Sequence, residues 1–283
     1  MNIRRRILVL MLPPTALLLG FFIIPMIAMG SFSFRAGSFG AQRNMFSLES
    51  YRNFFSNTAY QQLLIRSTLV ALWTSLICVL LSYPVAYFLS FRAGERRSTL
   101  LTLLLVPAWT SFLLRVLAWK LVLGSEGLLS TFLMTIGVLA EPRPVLLYTR
   151  AAVIVTLVYS WIPFVALPIF AALERMDRSL LEAAADLGCP PWQAFLRVTL
   201  PLSLPGVVAG FFFVFIPTLG EWVTPALVGG VRGTMYGNII QDQFRSALNW
   251  PMGAVMSLVM LLMMLVLLFI FGRFTHALPL EDV

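Results

Sequence analysis

Few residues in this chain of 283 could do chemistry, and their spacing argues against catalysis. There is one histidine, His276, near the C-terminal end, and the two cysteines are Cys78 and Cys189. A histidine triad, a zinc site or a disulfide framework needs more partners than that. The only lysine, Lys120, follows Trp119 where a phosphate-binding G-x-x-x-x-G-K-[ST] loop needs glycine. Any ATP used in the function is therefore expected on another chain. An intramembrane enzyme would need paired aspartates, or a serine with a lysine or histidine base. The apolar stretches offer Glu221 and Arg115 but no such pair.

Glu221 is the most telling of these. Pro217, Gly220, Pro225, Gly229 and Gly230 break the apolar run around it. Broken backbone at membrane depth is tolerated where it lines a cavity or is covered by protein, and a carboxylate there is a functional hypothesis by default. Counted from Leu204, Glu221 lies about 25 Å along a helix rising 1.5 Å per residue, toward the outer part of a membrane. Two readings stand: Glu221 meets a cation arriving from outside, or it is the structural partner of Arg115 or Lys120. Trp109, Tyr159, Trp161 and Trp222 offer ring faces for cation–π contact, and each equally suits an aromatic belt at the membrane interface. Asp242 and Glu126 are outer-face acids that could steer cations or contact a delivery protein.

The elements that must position these groups are membrane spans. Hydrophobic residues make up 59% of the chain and charged ones 11%, against roughly 45–50% and 25% in soluble domains. Charge-free runs of 28, 25, 23, 23 and 27 residues begin after Arg6, Arg66, Arg150, Arg197 and Arg245. Each exceeds the roughly 20 apolar residues that a helix needs to cross a bilayer. The pattern predicts an all-α polytopic membrane protein with six transmembrane helices at about 7–30, 65–91, 99–122, 150–173, 204–230 and 251–272. Arg115 and Lys120 interrupt the third span near its outer end, where they snorkel or face a polar cavity. Leu128, Leu129, Phe132, Leu133 and Ile136 fall at helical spacing on too short a run to span, which predicts an interfacial or protein-covered helix.

An even number of spans puts both termini on one side. The basic residues divide evenly between the two sides, but they are dense at Arg4, Arg5 and Arg6 and again at Arg92, Arg96 and Arg97, and that side is read as cytoplasmic. The first apolar run extends through Phe34, longer than a signal-peptide core, and is read as a retained span. No linker or internal repeat divides residues 1–283, so one transmembrane domain is expected. The net charge of +8 is read as arginine facing lipid headgroups rather than nucleic acid.

Between the fourth and fifth spans lies the longest cytoplasmic segment, 174–203. Met176, Leu180, Ala184 and Leu187 recur at helical spacing, Gly188 can supply a left-handed terminating residue, and Pro190 with Pro191 forbids continuation. A second short helix from about Pro191 to Thr199 follows, making a knob of two helices. The letters are Glu182-Ala183-Ala184, three residues, Gly188, nine residues, then Val198-Thr199-Leu200-Pro201. This segment resembles the EAA loop of ABC importer permeases and stands where that family has it, before the penultimate span. An ordinary amphipathic connector on the headgroups would explain the helix but not the whole spacing.

The resemblance implies a type I importer permease fold with an ATPase-coupling loop in which Glu182, Ala183, Ala184, Gly188, Leu200 and Pro201 are the family's positions. It further implies two ATP-binding subunits that hold ATP and Mg, a second permease subunit in a heterodimer, and a periplasmic substrate-binding protein. Residues 106–112, 127–129, 159–168, 182–188, 217–230 and 249–251 resemble the branch that carries putrescine and spermidine, closest to the putrescine-type permease. On that reading Glu221, Trp109, Tyr159, Trp161, Trp222 and Arg115 form the substrate path in a bacterial inner membrane. The nearest rival is the same architecture with ferric iron, thiosulfate or an opine as cargo.

Overall fold

The structure is a computed structural model that describes residues 3–36 and 43–276, and the side chains of residues 10–36 and 46–273. The chain ends at 1–2 and 277–283, on which the expectation of two cytoplasmic termini depends, lie outside the described residues, as does the His276 side chain. The chain forms two compact units, residues 1–62 with 239–275, and residues 63–238 with 276–283.

In the first unit, α1 (Ile3–Ser33) is a long apolar helix, followed by a two-stranded antiparallel hairpin, β1 (Arg35–Ala36) with β2 (Arg43–Phe46), and by α2 (Glu49–Ser56). Aromatic rings hold these pieces together. Phe34 stacks on Phe46 at 5.4 Å and meets Tyr51 at 5.3 Å, while the Tyr51 and Ser33 hydroxyls lie 2.9 Å apart. Trp250, at the head of α12 (Trp250–His276), meets Phe32 at 5.6 Å and Phe244 at 5.8 Å.

The second unit is centred on α7 (Arg150–Glu174), the most deeply buried of the long apolar helices. Thr149 starts it by accepting the Ala152 amide N–H at 3.2 Å. Pro163 removes an N–H from the helical ladder, and nearby carbonyls serve neighbouring helices: Ser82 of α3 (Thr58–Phe91) donates to Ile162 at 3.1 Å. On its other side α7 meets α10 (Leu200–Leu219) through two glycines. A Cβ at Gly206 would lie 2.5 Å from the Pro168 carbonyl oxygen and 2.6 Å from the Ala172 Cβ, and one at Gly210 would lie 3.1 Å from a Val165 methyl. Four residues apart, they present one bare face on which the backbones can approach. We expect Gly206→Leu to destabilise the subunit by about 1–3 kcal/mol through overpacking. Thermal unfolding in detergent, compared with the milder Gly206→Ala, measures it.

Among the described residues, five helices are long and apolar enough to cross a membrane: Leu10–Ser33, Thr58–Phe91, Arg150–Glu174, Pro191–Leu219 and Trp250–Arg273. A sixth crossing exists if a bent pair, Gly94–Trp109 with Phe112–Thr135, counts as one span. The span expected at 99–122 is thus a bent pair rather than one continuous helix. The pair bends by 86° where α4 (Arg97–Leu105) and the 3₁₀ turn Val106–Trp109 give way to α5 (Phe112–Leu123). Pro107 cannot donate into the preceding turn, the Thr110 hydroxyl bonds back to the Pro107 carbonyl at 2.7 Å, and Thr110 and Ser111 are extended.

The fifth span also differs from 204–230. Helix runs from Pro191 through α9 (Pro191–Ala194), a π turn at Phe195–Thr199 and α10, and it stops at Leu219, before Glu221. The π turn absorbs Pro201, whose ring would clash within a regular α turn. The second short helix of the expected knob is thus the first part of the span itself. The short helix expected after the third span is α6 (Leu128–Thr135), with Leu128 and Phe132 exposed and Leu129 packed on the core.

Candidate coupling loop and membrane cavity

The loop after α7 begins with a turn in which Asp177 accepts the Ser179 amide N–H at 2.9 Å. That backbone bond, with a second from the Ser179 side chain, holds the Asp177 carboxyl below its usual value. The cap therefore acts at neutral pH and is lost as pH falls through that lowered value.

Next comes α8 (Ser179–Asp186), which closes at Gly188 with φ +74°. The Cys189 N–H reaches the Ala184 carbonyl at 3.0 Å and the Gly188 N–H reaches the Ala185 carbonyl at 2.9 Å, the paired bonds of a Schellman end. Nothing lies within 4 Å of a Cβ built at Gly188, so its side of the loop is open. Pro190, extended at ψ 152°, then turns the chain into α9.

The expected apolar stripe divides. Met176 and Ala184 are half-buried with Leu181, whereas Leu180 and Leu187 face outward, Leu187 at 88% exposure, and Trp192 is 63% exposed. Glu182 and Ala183 are exposed on the same helix, and Leu200 and Pro201 are half-buried where the π turn enters α10. Phe195 anchors the loop inward, edge-on to Tyr83 at 5.6 Å and Tyr87 at 5.9 Å. The loop is thus a fixed shape carrying apolar side chains into solvent.

A cavity of about 260 Å³ lies farther along the same helices, lined by Phe112, Arg115, Ser160, Trp161, Phe164 and Glu221. Three of the six residues expected on a substrate path meet here: Glu221, Arg115 and Trp161. One Glu221 oxygen accepts the Val223 and Thr224 amide N–H groups at 2.8 and 3.1 Å, so the carboxylate caps the short helical turn that follows it. The break that exposes it is held from behind. A Cβ at Gly237 would lie 2.6 and 2.8 Å from the Gly220 and Glu221 carbonyl oxygens, and Asn238 donates to the Trp222 carbonyl at 2.7 Å. The Ser67 hydroxyl takes the Tyr236 N–H at 2.8 Å, which fixes the first residue of α11 (Tyr236–Arg245) to α3.

Arg115 reaches over from α5 and donates to the Ser160 carbonyl at 3.0 Å. Its Nε, and the Trp161 indole N–H, are buried without a hydrogen-bond partner among the described residues. Arg115 and Glu221 line one cavity without closing an ion pair, and Lys120 lines a different one with Glu126. Trp161 meets Phe164 and Phe213 edge-on at 5.6 and 6.2 Å.

The other expected aromatics lie elsewhere. Trp109 is exposed in the 3₁₀ turn, Tyr159 packs edge-on against Trp119 at 5.4 Å, and Trp222 is 42% exposed and lends the site only its backbone. Phe112, Ser160 and Phe164 were not expected on the path, although all three fall in the segments 106–112 and 159–168 that carried the resemblance, and the Gly237-Asn238 brace gave no signal in the sequence.

The long apolar helices, with the exposed, Schellman-closed loop ahead of the helix that ends at Leu219, share their fold with solved ABC transporters. A bacterial ABC transporter that imports the acidic polysaccharide alginate aligns with TM-score 0.70 over 98% of this chain and 97% of that one, at 17% identity. The methionine ABC transporter MetNI, in an inward-facing conformation, aligns with TM-score 0.56 over 79% of this chain and 99% of its own, at 20% identity.

The chain belongs to the family described as binding-protein-dependent transport system inner membrane component, which matches residues 3–279. Among its relatives, the spermidine/putrescine transport system permease protein PotB of Haemophilus influenzae is 38% identical over 80% of this chain and 79% of its own length. PotB of Escherichia coli K12 is 36% identical over 83% and 84%. The inner membrane ABC transporter permease protein YdcU of the same organism is 34% identical over 72% and 68%. The chain is a multi-pass permease subunit, a role in which ATP hydrolysis falls to a separate chain.

Proposed function

We propose that this permease subunit belongs to an ATP-driven importer that moves polyamines, putrescine and spermidine, across a bacterial inner membrane into the cytoplasm. The observation that carries the cargo is Glu221, a carboxylate whose second oxygen has no hydrogen-bond partner among the described residues, in a cavity walled by Phe112, Trp161 and Phe164. An alkyl chain ending in ammonium groups matches an acid flanked by aromatic faces. The names of the PotB relatives support the same cargo.

Loop 174–203 faces the cytoplasm on this reading. Leu187, Trp192 and the small Ala183 dock there into a cleft of one of two ATP-binding subunits, which hold ATP and Mg. Glu182 makes charge-assisted contacts to the same partner. A second, homologous permease subunit completes the path, and a periplasmic binding protein delivers the amine. A relative of this class appears as a solved complex with a substrate-bound periplasmic protein.

Arg115 favours a second reading. Its unpartnered Nε in the same cavity would suit a cargo with an acidic group, and a relative 28% identical over 64% of this chain is named a putative 2-aminoethylphosphonate permease. The deciding experiment is uptake of labelled putrescine and spermidine into proteoliposomes holding this chain, its co-purifying subunits and the binding protein, with ATP inside or absent. Mutual competition by the two amines with ATP-dependent accumulation is the expected result. Competition by 2-aminoethylphosphonate and not by amines would reassign the cargo, and uptake without ATP would end the coupling reading.

A further inference from the structure

The root of the coupling loop carries a polar cluster that neither the cavity nor the docking face uses. Glu174, the last residue of α7, accepts the Ser90 hydroxyl of α3 at 2.9 Å on Oε1 and pairs through Oε2 with Arg97, the first residue of α4. Arg178, inside the loop, donates from Nη2 to the Ser90 carbonyl at 3.1 Å, and its guanidinium stands 5.8 Å from the Phe91 ring centre. Arg97 lies over Phe170 at the same 5.8 Å.

The Arg97 and Glu174 side chains are 44% and 26% exposed, a setting in which an ion pair contributes little to stability. What distinguishes the cluster is the parts it joins. Glu174 ties the loop and α3 to the first limb of the broken third span, and the second limb of that span carries Arg115 into the cavity. Arg178 adds a second tie from the loop to α3.

We propose that Glu174 is a positioning residue for transport. It fastens α4 to the loop, so that movement of the loop is passed through α4 and the Thr110–Ser111 bend to Arg115, whose withdrawal from Ser160 opens the cavity beside Glu221. The proposal rests on the coupling reading of loop 174–203.

The test uses the whole complex in proteoliposomes, with ATP hydrolysed and labelled putrescine accumulated both measured in the same vesicles. Glu174→Gln and Arg97→Gln are each expected to leave co-purification and ATP hydrolysis within about twofold of the parent and to lower amine moved per ATP at least fivefold. Glu174→Asp, which keeps the charge, and the exchange Arg97→Glu with Glu174→Arg are expected to recover half or more of that ratio, which a merely structural role would not produce. An unchanged ratio in both single variants, or an exchange as poor as the singles combined, overturns the proposal. Gly188→Asp run in parallel separates the two levels. If it imports normally, the coupling reading falls and this proposal with it; if it is inactive while Glu174→Gln imports normally, the Glu174 proposal alone falls.

Discussion

Replacing Gly188 by aspartate is expected to leave the subunit inserted and folded while lowering ATP-dependent uptake at least a hundredfold. Gly188 sits at φ +74° and ends α8 with paired backbone bonds, and a Cβ there would touch nothing. The backbone penalty for a residue with a Cβ is about 1–2 kcal/mol, too small to unfold a subunit built on buried helix contacts. Aspartate and asparagine tolerate the left-handed region better than other side chains, so the backbone effect is about equal for both. Their difference lies in charge placed next to the exposed Leu187, on the face proposed to meet the ATP-binding subunit. Burying an unpaired carboxylate in such an interface is strongly unfavourable. The series Gly188→Asn, Gly188→Ala and Gly188→Asp therefore separates the two contributions. Uptake is expected to survive in the first, to fall severalfold in the second and to vanish in the third. Membrane yield and co-purification of the ATPase, measured beside uptake, report where the loss occurs; normal uptake in the aspartate variant removes Gly188 from the coupling surface.

Glu221→Gln is expected to raise the half-saturating amine concentration about 10- to 100-fold with assembly intact. The glutamine oxygen can still accept the Val223 and Thr224 amides, so the turn after the break keeps its cap. What is lost is the negative charge facing the cavity. A hydrogen bond to a charged group contributes about 1.5–3 kcal/mol, which corresponds to roughly 10- to 150-fold in affinity. Uptake across a range of putrescine concentrations, with thermal stability in detergent as the control, decides it. An unchanged concentration dependence at low substrate would leave Glu221 as a cap alone.

Much of this fold was legible because membrane helices announce themselves as charge-free runs and because Gly188 with Pro190 and Pro191 marks a loop that can end a helix in one way. Boundaries were less so. Hydropathy counts apolar residues and is blind to geometry, so Val106-Pro107-Ala108-Trp109 read as span although Pro107 and the Thr110 hydroxyl turn the chain there by 86°. The helix from Pro191 to Leu219 was divided at the prolines, because nothing in the letters says that a π turn can absorb Pro201. At the cavity, residue type singled out Glu221, Arg115 and Trp161, which do converge. It could not exclude Trp109, Tyr159 and Trp222, because a tryptophan or tyrosine near a membrane surface looks the same whether it faces a path, a neighbour or lipid.

The unbroken helix from Pro191 to Leu219 has a mechanical meaning. It is a rod of about 43 Å, gripped between Gly206 and Gly210 where α7 lies against it. From that contact the helix extends about 25 Å toward the loop and about 17 Å toward Leu219, so a rigid tilt about the two bare glycines would move the Leu219 end the opposite way by about two thirds as much as the loop end.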